Sequence, residues 1–433
     1  LKNSLLKRYR LTSSNLIIRG ITLGGKFIFI IFLAKHLTTD QLGEWGIFTT
    51  SIALSLYLVG LDFYTFSTRN LLEFPMERRG AMLRDQLIFY LLGYLILFPL
   101  LYLLFYFDVM TAKYVLFFYI ILVLEHFAQE TYRIFVVFSK PVVANVILFL
   151  RTGSWAYLLV FLWMGGVEDV KNLKFAFLFW MGGGIAAMLT SLYFLTRLGL
   201  TIPRKTPVNW AWIRQGIQIS MIFFVATIAF KIIELADRYF IDHYHGTEAV
   251  GIYTFYANMA NLIEIIGHTA VVIIFSPKLI EYFHTSNKHY RFTHAGFAKN
   301  MVMFTLLGGL FLALTIYPIL SFLNKDEFFA ELDVFAVMCL SEMLFNFSLI
   351  FHYVLYVRKR DKSIVWATII AAILNLVLNF LLVPPYGIMG SAIATLASMF
   401  TIAFLKVALS RDVPETRQII LLKFLRKKKR KAV

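Results

Sequence analysis

The stretch TDQLGEW, residues 39–45, returns in altered form as TEAVGIY, residues 247–253. Both read Thr-acid-x-aliphatic-Gly-x-aromatic, without a gap, and both stand between two long apolar runs. A linker repeated at equivalent points suggests two halves built on one plan. The apolar runs around it give twelve segments near the length of about 20 residues that crosses a bilayer. They are 16–36, 43–67, 85–107, 114–138, 142–163, 173–195, 216–242, 250–276, 300–323, 328–357, 363–383 and 387–409. Six crossings per half keep both halves in one orientation. They would then be related by a pseudo-two-fold axis along the membrane normal, with a substrate site between them.

Composition supports an integral membrane protein. Hydrophobic residues make up 59% and charged ones 15% of the 433 residues, where a soluble chain carries about 25% charged. Mean hydropathy is +0.73. The single cysteine, Cys339, excludes an intrachain disulfide. A net charge of +17 invites a nucleic-acid partner, but the cations flank the apolar runs instead of forming one soluble patch. No nucleic acid is expected.

The position of the cations fixes an orientation. Lys2, Lys7, Arg8 and Arg10 precede the first run; Arg69, Arg78, Arg79 and Arg84 fill the second loop. Arg197, Arg204, Lys205 and Arg214 lie in the sixth, and Lys278, Lys288, Arg291 and Lys299 in the eighth. The tenth loop reads RKRDK and the chain closes on RKKKRK, whereas odd-numbered loops hold scattered cations such as Lys113, Lys171 and Lys325. By the positive-inside rule both termini are cytoplasmic. The basic start LKNSLLKRYR lacks a following small-residue cleavage site and reads as a retained first helix. Directly after a final span, the basic tail suits anionic lipid headgroups.

Ionised residues inside the runs carry the functional expectation, because each costs at least a few kcal/mol in hydrocarbon unless paired or wet, about 3 kcal/mol on insertion scales. Arg19 and Lys26 lie seven apart on the first run; Lys231, Glu234 and Arg238 follow i, i+3, i+7 on the seventh, with Asp237 beside them. Two readings stay open. One has helix-to-helix ion pairs: Lys231 with Glu234, Arg238 with Asp237 or Glu264, Arg19 with Asp62. In the other, Arg19, Lys26, Lys231 and Arg238 line a wet cationic cleft for a diphosphate, Lys as point charge and Arg as bidentate fork. A third group, EHFAQETYRIF (125–135), puts His126, Glu130 and Arg133 on one face. Asp62, Glu130, Arg133, Arg151, Glu234, Asp237 and Glu264 are supporting or ion-coupling candidates.

Other patterns carry no chemistry. GITLGGKF (20–27) fits Gly-x4-Gly-Lys, but Phe27 stands where a phosphate loop needs Ser or Thr, and no strand precedes it. His243 and His245 lack the further ligands a zinc site needs. No metal, no cofactor and no hydrolase arrangement is expected. The short outer loops leave no room for a catalytic domain, so an enzyme is not expected either.

HLTTDQLGEWGIF (36–48) resembles the linker after the first span of Wzx-type polysaccharide flippases. NLVLNFLLVPPYGIMGSAIATLAS (375–398) is similar to the signature of their last two helices. These flippases belong to the multidrug/oligosaccharidyl-lipid/polysaccharide exporter superfamily. The resemblance implies an all-α, MATE-like exporter fold of two six-helix lobes: 1–205, 206–409 and a basic cytoplasmic tail, 410–433. It implies alternating access at the bacterial inner membrane. The implied cargo is an undecaprenyl-diphosphate-linked oligosaccharide for O-antigen (lipopolysaccharide), capsule or exopolysaccharide assembly. Membrane lipids, a coupling cation (H+ or Na+), and polysaccharide polymerase and chain-length machinery would be partners. Lipid II flippases of the superfamily usually have fourteen helices, so twelve favours the Wzx branch. Alternatives are a multidrug exporter, which needs an acidic cavity, and a membrane polymerase or ligase acting on lipid-linked glycans.

Overall fold

The computed structural model describes residues 2–200 and 206–420, with side chains for 17–200 and 206–417. Arg204, Lys205 and the RKKKRK run lie outside the described residues, as do the side chains of Lys2, Lys7, Arg8 and Arg10. Every regular element among the described residues is helical. In hydrocarbon no water can satisfy a backbone amide, so a spanning segment must close its hydrogen bonds within itself.

Ten helical stretches are long and apolar enough to cross a membrane. Two are far too long for one crossing: Trp210–Thr285 with 76 residues and Asp361–Leu409 with 49. At 1.5 Å per residue the latter would run about 70 Å if straight. It does not run straight. Gly387 has φ 55°, and Ser391 donates to Asn379 Oδ1 at 2.6 Å, a pair a continuous helix would hold about 18 Å apart. Gly246, at φ 80°, folds the other stretch, bringing the Tyr253 hydroxyl onto the Asp237 carboxylate. Each stretch is therefore a hairpin, and the crossings among the described residues number twelve. The turns of the two hairpins meet where His245 Nε2 lies 2.7 Å from Val383 O.

The repeated linker starts both second helices but with different chemistry. Thr38 forms a capping box with Gln41, each side chain bonding the other's backbone amide. At the matching place the second half has the left-handed Gly246. Gly43 and Gly251 are both buried.

The chain divides into two compact units, 1–228 and 229–433. The division falls inside the seventh span, whereas the expected lobes meet at 205/206. The reason lies in side chains of the seventh span's first half: Trp212 donates to Asn70 Oδ1 at 3.0 Å, and Gly216 lies so close to Phe63 and Phe66 that a methyl group would overlap both rings. Its second half, from Ala229, packs with Phe345, Ala371 and Met399. Large apolar side chains left exposed, such as Leu95, Ile96, Leu314, Phe380 and Phe400, make the lipid-facing surface.

One expected span is interrupted. The second crossing is helical over Thr39–Gly60 and again over Tyr64–Glu73, and between them Leu61 and Asp62 both take positive φ, 43° and 51°. Neither is glycine, so the break carries backbone strain.

The hairpin of spans eleven and twelve gives a direct check. A Cβ on Gly390 would overlap the Leu382 carbonyl, while one on Gly182 would meet nothing. Gly390→Ala should lower the unfolding temperature and folded yield, and Gly182→Ala should leave both unchanged, by fluorescence-detected thermal unfolding in detergent.

Candidate functional site

In the first unit, Arg19 is held by neutral groups. Its Nε donates to Asn145 Oδ1 at 3.0 Å and an Nη to the Tyr132 hydroxyl at 2.7 Å. No carboxylate lies within ion-pair distance among the described residues. The expected contact with Asp62 is absent, because the Asp62 side chain bonds Thr227 instead. Lys26, about 10 Å further along the helix, is exposed. It has no hydrogen bond or ion pair among the described residues, and the charges acting on it are those of Arg151 and Glu125.

Arg151 comes from a π-helical turn, Leu150–Ser154, in the fifth span. Such turns add a residue to the helix and re-aim the side chains after it. Here Gly183 of the sixth span lies so near that a methyl group would overlap Trp155 and crowd the Leu150 carbonyl. Arg151 Nε is 3.3 Å from Glu125 Oε2, and Glu125 Oε1 accepts the Trp180 indole at 2.8 Å. Two cations, Lys26 and Arg151, thus stand with one carboxylate, Glu125, and Arg19 is held apart from it by neutral groups. The surplus is positive.

A second polar group in this unit is internally satisfied. Glu130 pairs with Arg133 and accepts from the Tyr90 hydroxyl at 2.7 Å and Gln86 at 3.1 Å. The Arg133 guanidinium lies 3.4 Å above the Tyr64 ring.

The charged cluster around the second half of the seventh span has the opposite balance. Lys231 pairs with Glu234, as the i, i+3 spacing allows. Arg238 donates to the Glu234 carbonyl and lies 5.4 Å over the Tyr253 ring, not in an ion pair with Glu264. Buried Asp237 accepts from Tyr253, from Thr395 at 2.8 Å and from Asn379 at 3.1 Å. Asn379 also reaches Asn375 Oδ1 at 3.1 Å. Glu264 accepts from Asn261 at 2.8 Å, and Glu342 senses the charges of Glu264, Glu234, Lys231 and Arg238. Four carboxylates face two cations.

Of the four cations expected to form one cleft, Arg19 and Lys26 make no ion pair among the described residues, while Lys231 pairs with the Glu234 carboxylate and Arg238 donates to the Glu234 carbonyl. Residues the sequence reading passed over are Asn145 and Tyr132, which orient Arg19, and Asn375, Asn379 and Thr395, which close on Asp237. The last three sit inside the stretch that served as a fold marker. Asparagines four apart in a spanning segment were the available signal.

No family model matches the chain, and no curated protein sequence does. Solved structures do. An inward-facing multidrug resistance MATE family transporter of the MOP superfamily superposes with TM-score 0.70 at 14% identity, covering 93% of this chain and 96% of that one. The lipid II flippase MurJ, in an inward closed conformation, gives TM-score 0.71 at 14% identity, covering 96% and 90%. The MATE multidrug transporter DinF-BH gives 0.63 at 15%, covering 97% and 96%. The fold is that of the MATE and MurJ transporters. The MATE–MurJ fold spans almost the whole chain, and at these identities the likeness is one of fold.

The ion pair on the seventh span can be tested by itself. Lys231→Ala strands Glu234 about one-fifth exposed and should cost about 2 kcal/mol. Lys231→Ala with Glu234→Ala should recover at least half of that, as read by thermal unfolding of both variants.

Proposed function

We propose that this chain is a flippase that carries a diphosphate-linked lipid oligosaccharide across the membrane by alternating access. The observation that carries the reading is that Lys26 and Arg151 share the single carboxylate Glu125 while Arg19, on the helix of Lys26, is held by neutral groups alone. Arg19 is pre-oriented by Asn145 and Tyr132, so its remaining donors are free to form a fork on phosphate. Lys26 adds a mobile point charge. A diphosphate entering this site gains charge-assisted hydrogen bonds worth about 1.5–3 kcal/mol each, and the cations shed their desolvation penalty. The polyprenyl tail stays in lipid. The finer reading, an undecaprenyl carrier bearing O-antigen, capsule or exopolysaccharide units at a bacterial inner membrane, follows the Wzx-like stretches. Cytoplasmic termini follow the cation pattern, and polymerase and chain-length partners belong to the same reading.

The drive would be a cation, H+ or Na+. Asp237 with Asn375, Asn379, Thr395 and Tyr253 offers oxygen ligands of the kind hard cations prefer. The carboxylates clustered around Lys231 and Arg238 also support a second reading, export of cationic drugs on the same fold.

Complementation in a strain lacking its own polysaccharide flippase separates the two. Arg19→Ala and Lys26→Ala should each reduce surface polysaccharide at least about tenfold, the effect of 1.4 kcal/mol, at unchanged protein abundance, and Lys26→Arg should retain export. Normal export by Lys26→Ala, or dye efflux that survives both alanine variants, would sink the diphosphate reading.

A further inference from the structure

The glycine pair Gly24–Gly25 stands directly before Lys26 and receives a side chain of the fifth span. The Tyr157 hydroxyl donates to the Ile21 carbonyl at 2.7 Å. The Tyr157 ring covers Gly25 so closely that a Cβ there would lie 2.6 Å from a ring carbon. One on Gly24 would lie 3.2 Å from the hydroxyl oxygen. A ring tethered by its hydroxyl cannot swing aside without losing that bond. The same two spans meet on either side of this joint. Thr22 Cα is 3.3 Å from where a Cβ on Gly153 would stand, and Phe29 meets Trp155 edge-on with ring centroids 4.8 Å apart. Thr22, Gly25 and Phe29, spaced i, i+3, i+7, thus turn one face of the first span toward the fifth.

This seam is uncharged, yet it decides where a charge points. Successive residues leave a helix about 100° apart, so the direction of Lys26 follows from that of Gly25. Arg19 has its own bonds to Asn145 and Tyr132. Lys26 makes no hydrogen bond or ion pair among the described residues, and the charges acting on it are those of Arg151 and Glu125. A flexible four-carbon stem without a partner is aimed by the backbone that carries it.

We infer that Tyr157 and Gly25 are positioning residues of the anion site: their joint sets the rotation of the first span and so aims Lys26 at the charges of Arg151 and Glu125. The inference deepens the diphosphate reading. It rests on that reading for the ligand, but not for the electric field at position 26.

The test reads field and ligand separately, in the full chain in neutral-lipid nanodiscs. With Cys339→Ser, Lys26→Cys is labelled by an anionic and by a cationic methanethiosulfonate, and the two rates are compared. Arg151 should make the anionic reagent faster by about tenfold, less so at high salt. Gly25→Ala should bring the ratio close to one. Tyr157→Phe, which keeps the ring and loses only the bond, should lower it by a smaller factor. Gly20→Ala, whose Cβ would meet nothing within 4 Å, should leave it unchanged. With Lys26 in place, Gly25→Ala should weaken binding of a short-chain polyprenyl diphosphate at least about tenfold, 1.4 kcal/mol, with polyprenol binding unchanged. It should have no further effect once Arg19 and Lys26 are both replaced. Equal rates for the two reagents, a ratio untouched by Gly25→Ala, or an affinity loss that persists in the doubly replaced chain would overturn the inference. Should Gly25→Ala fail to fold, an unchanged ratio in Tyr157→Phe overturns it equally. A ratio that responds as stated, in a chain that binds the diphosphate no better than polyprenol, would refute the transport reading and leave the positioning joint standing.

Discussion

An ionised side chain in hydrocarbon must find an opposite charge, water or cargo. Each of the two units meets this demand in its own way. In the first, Arg19 leans on an amide and a phenol, neither of which neutralises it, and Lys26 has no partner among the described residues. In the second, both cations of the seventh span are drawn to Glu234, and carboxylates outnumber them. The clusters around these spans are thus balanced differently: cations exceed carboxylates in the one and carboxylates exceed cations in the other.

The two copies of the linker share a residue pattern but not a chemistry. Ten residues before the shared threonine stands Phe29 in one half and Asp237 in the other. The buried aromatic of the linker is Trp45 in one and Tyr253 in the other. Phe29 and Trp45 pack ring to ring at 5.5 Å, whereas Tyr253 donates its hydroxyl to Asp237. The same two helix positions make an apolar joint in one unit and a hydrogen-bonded polar pair in the other.

Much of the fold was legible because hydropathy and cation placement are read one segment at a time. The Lys231–Glu234 pair was legible for the same reason, being one helical turn apart. What escaped depends on departures from regular helix that no residue type announces. Leu61 and Asp62 are not glycine or proline, so nothing in the second run signals a break there. The π turn that presents Arg151 lies against Gly183, a contact between distant segments. Arg19 was offered Asp62 as a partner by composition alone, but Asp62 is already bonded to Thr227.

The most direct test of the cation surplus around Lys26 is equilibrium binding of a short-chain polyprenyl diphosphate to the purified protein in neutral-lipid nanodiscs, against the corresponding neutral polyprenol. The account predicts that the diphosphate binds with salt-sensitive affinity. Replacing Arg19 and Lys26 together should weaken it by at least about a hundredfold, two steps of 1.4 kcal/mol, with polyprenol binding unchanged. Equal affinity for the two lipids, or diphosphate binding indifferent to that double replacement, would contradict it.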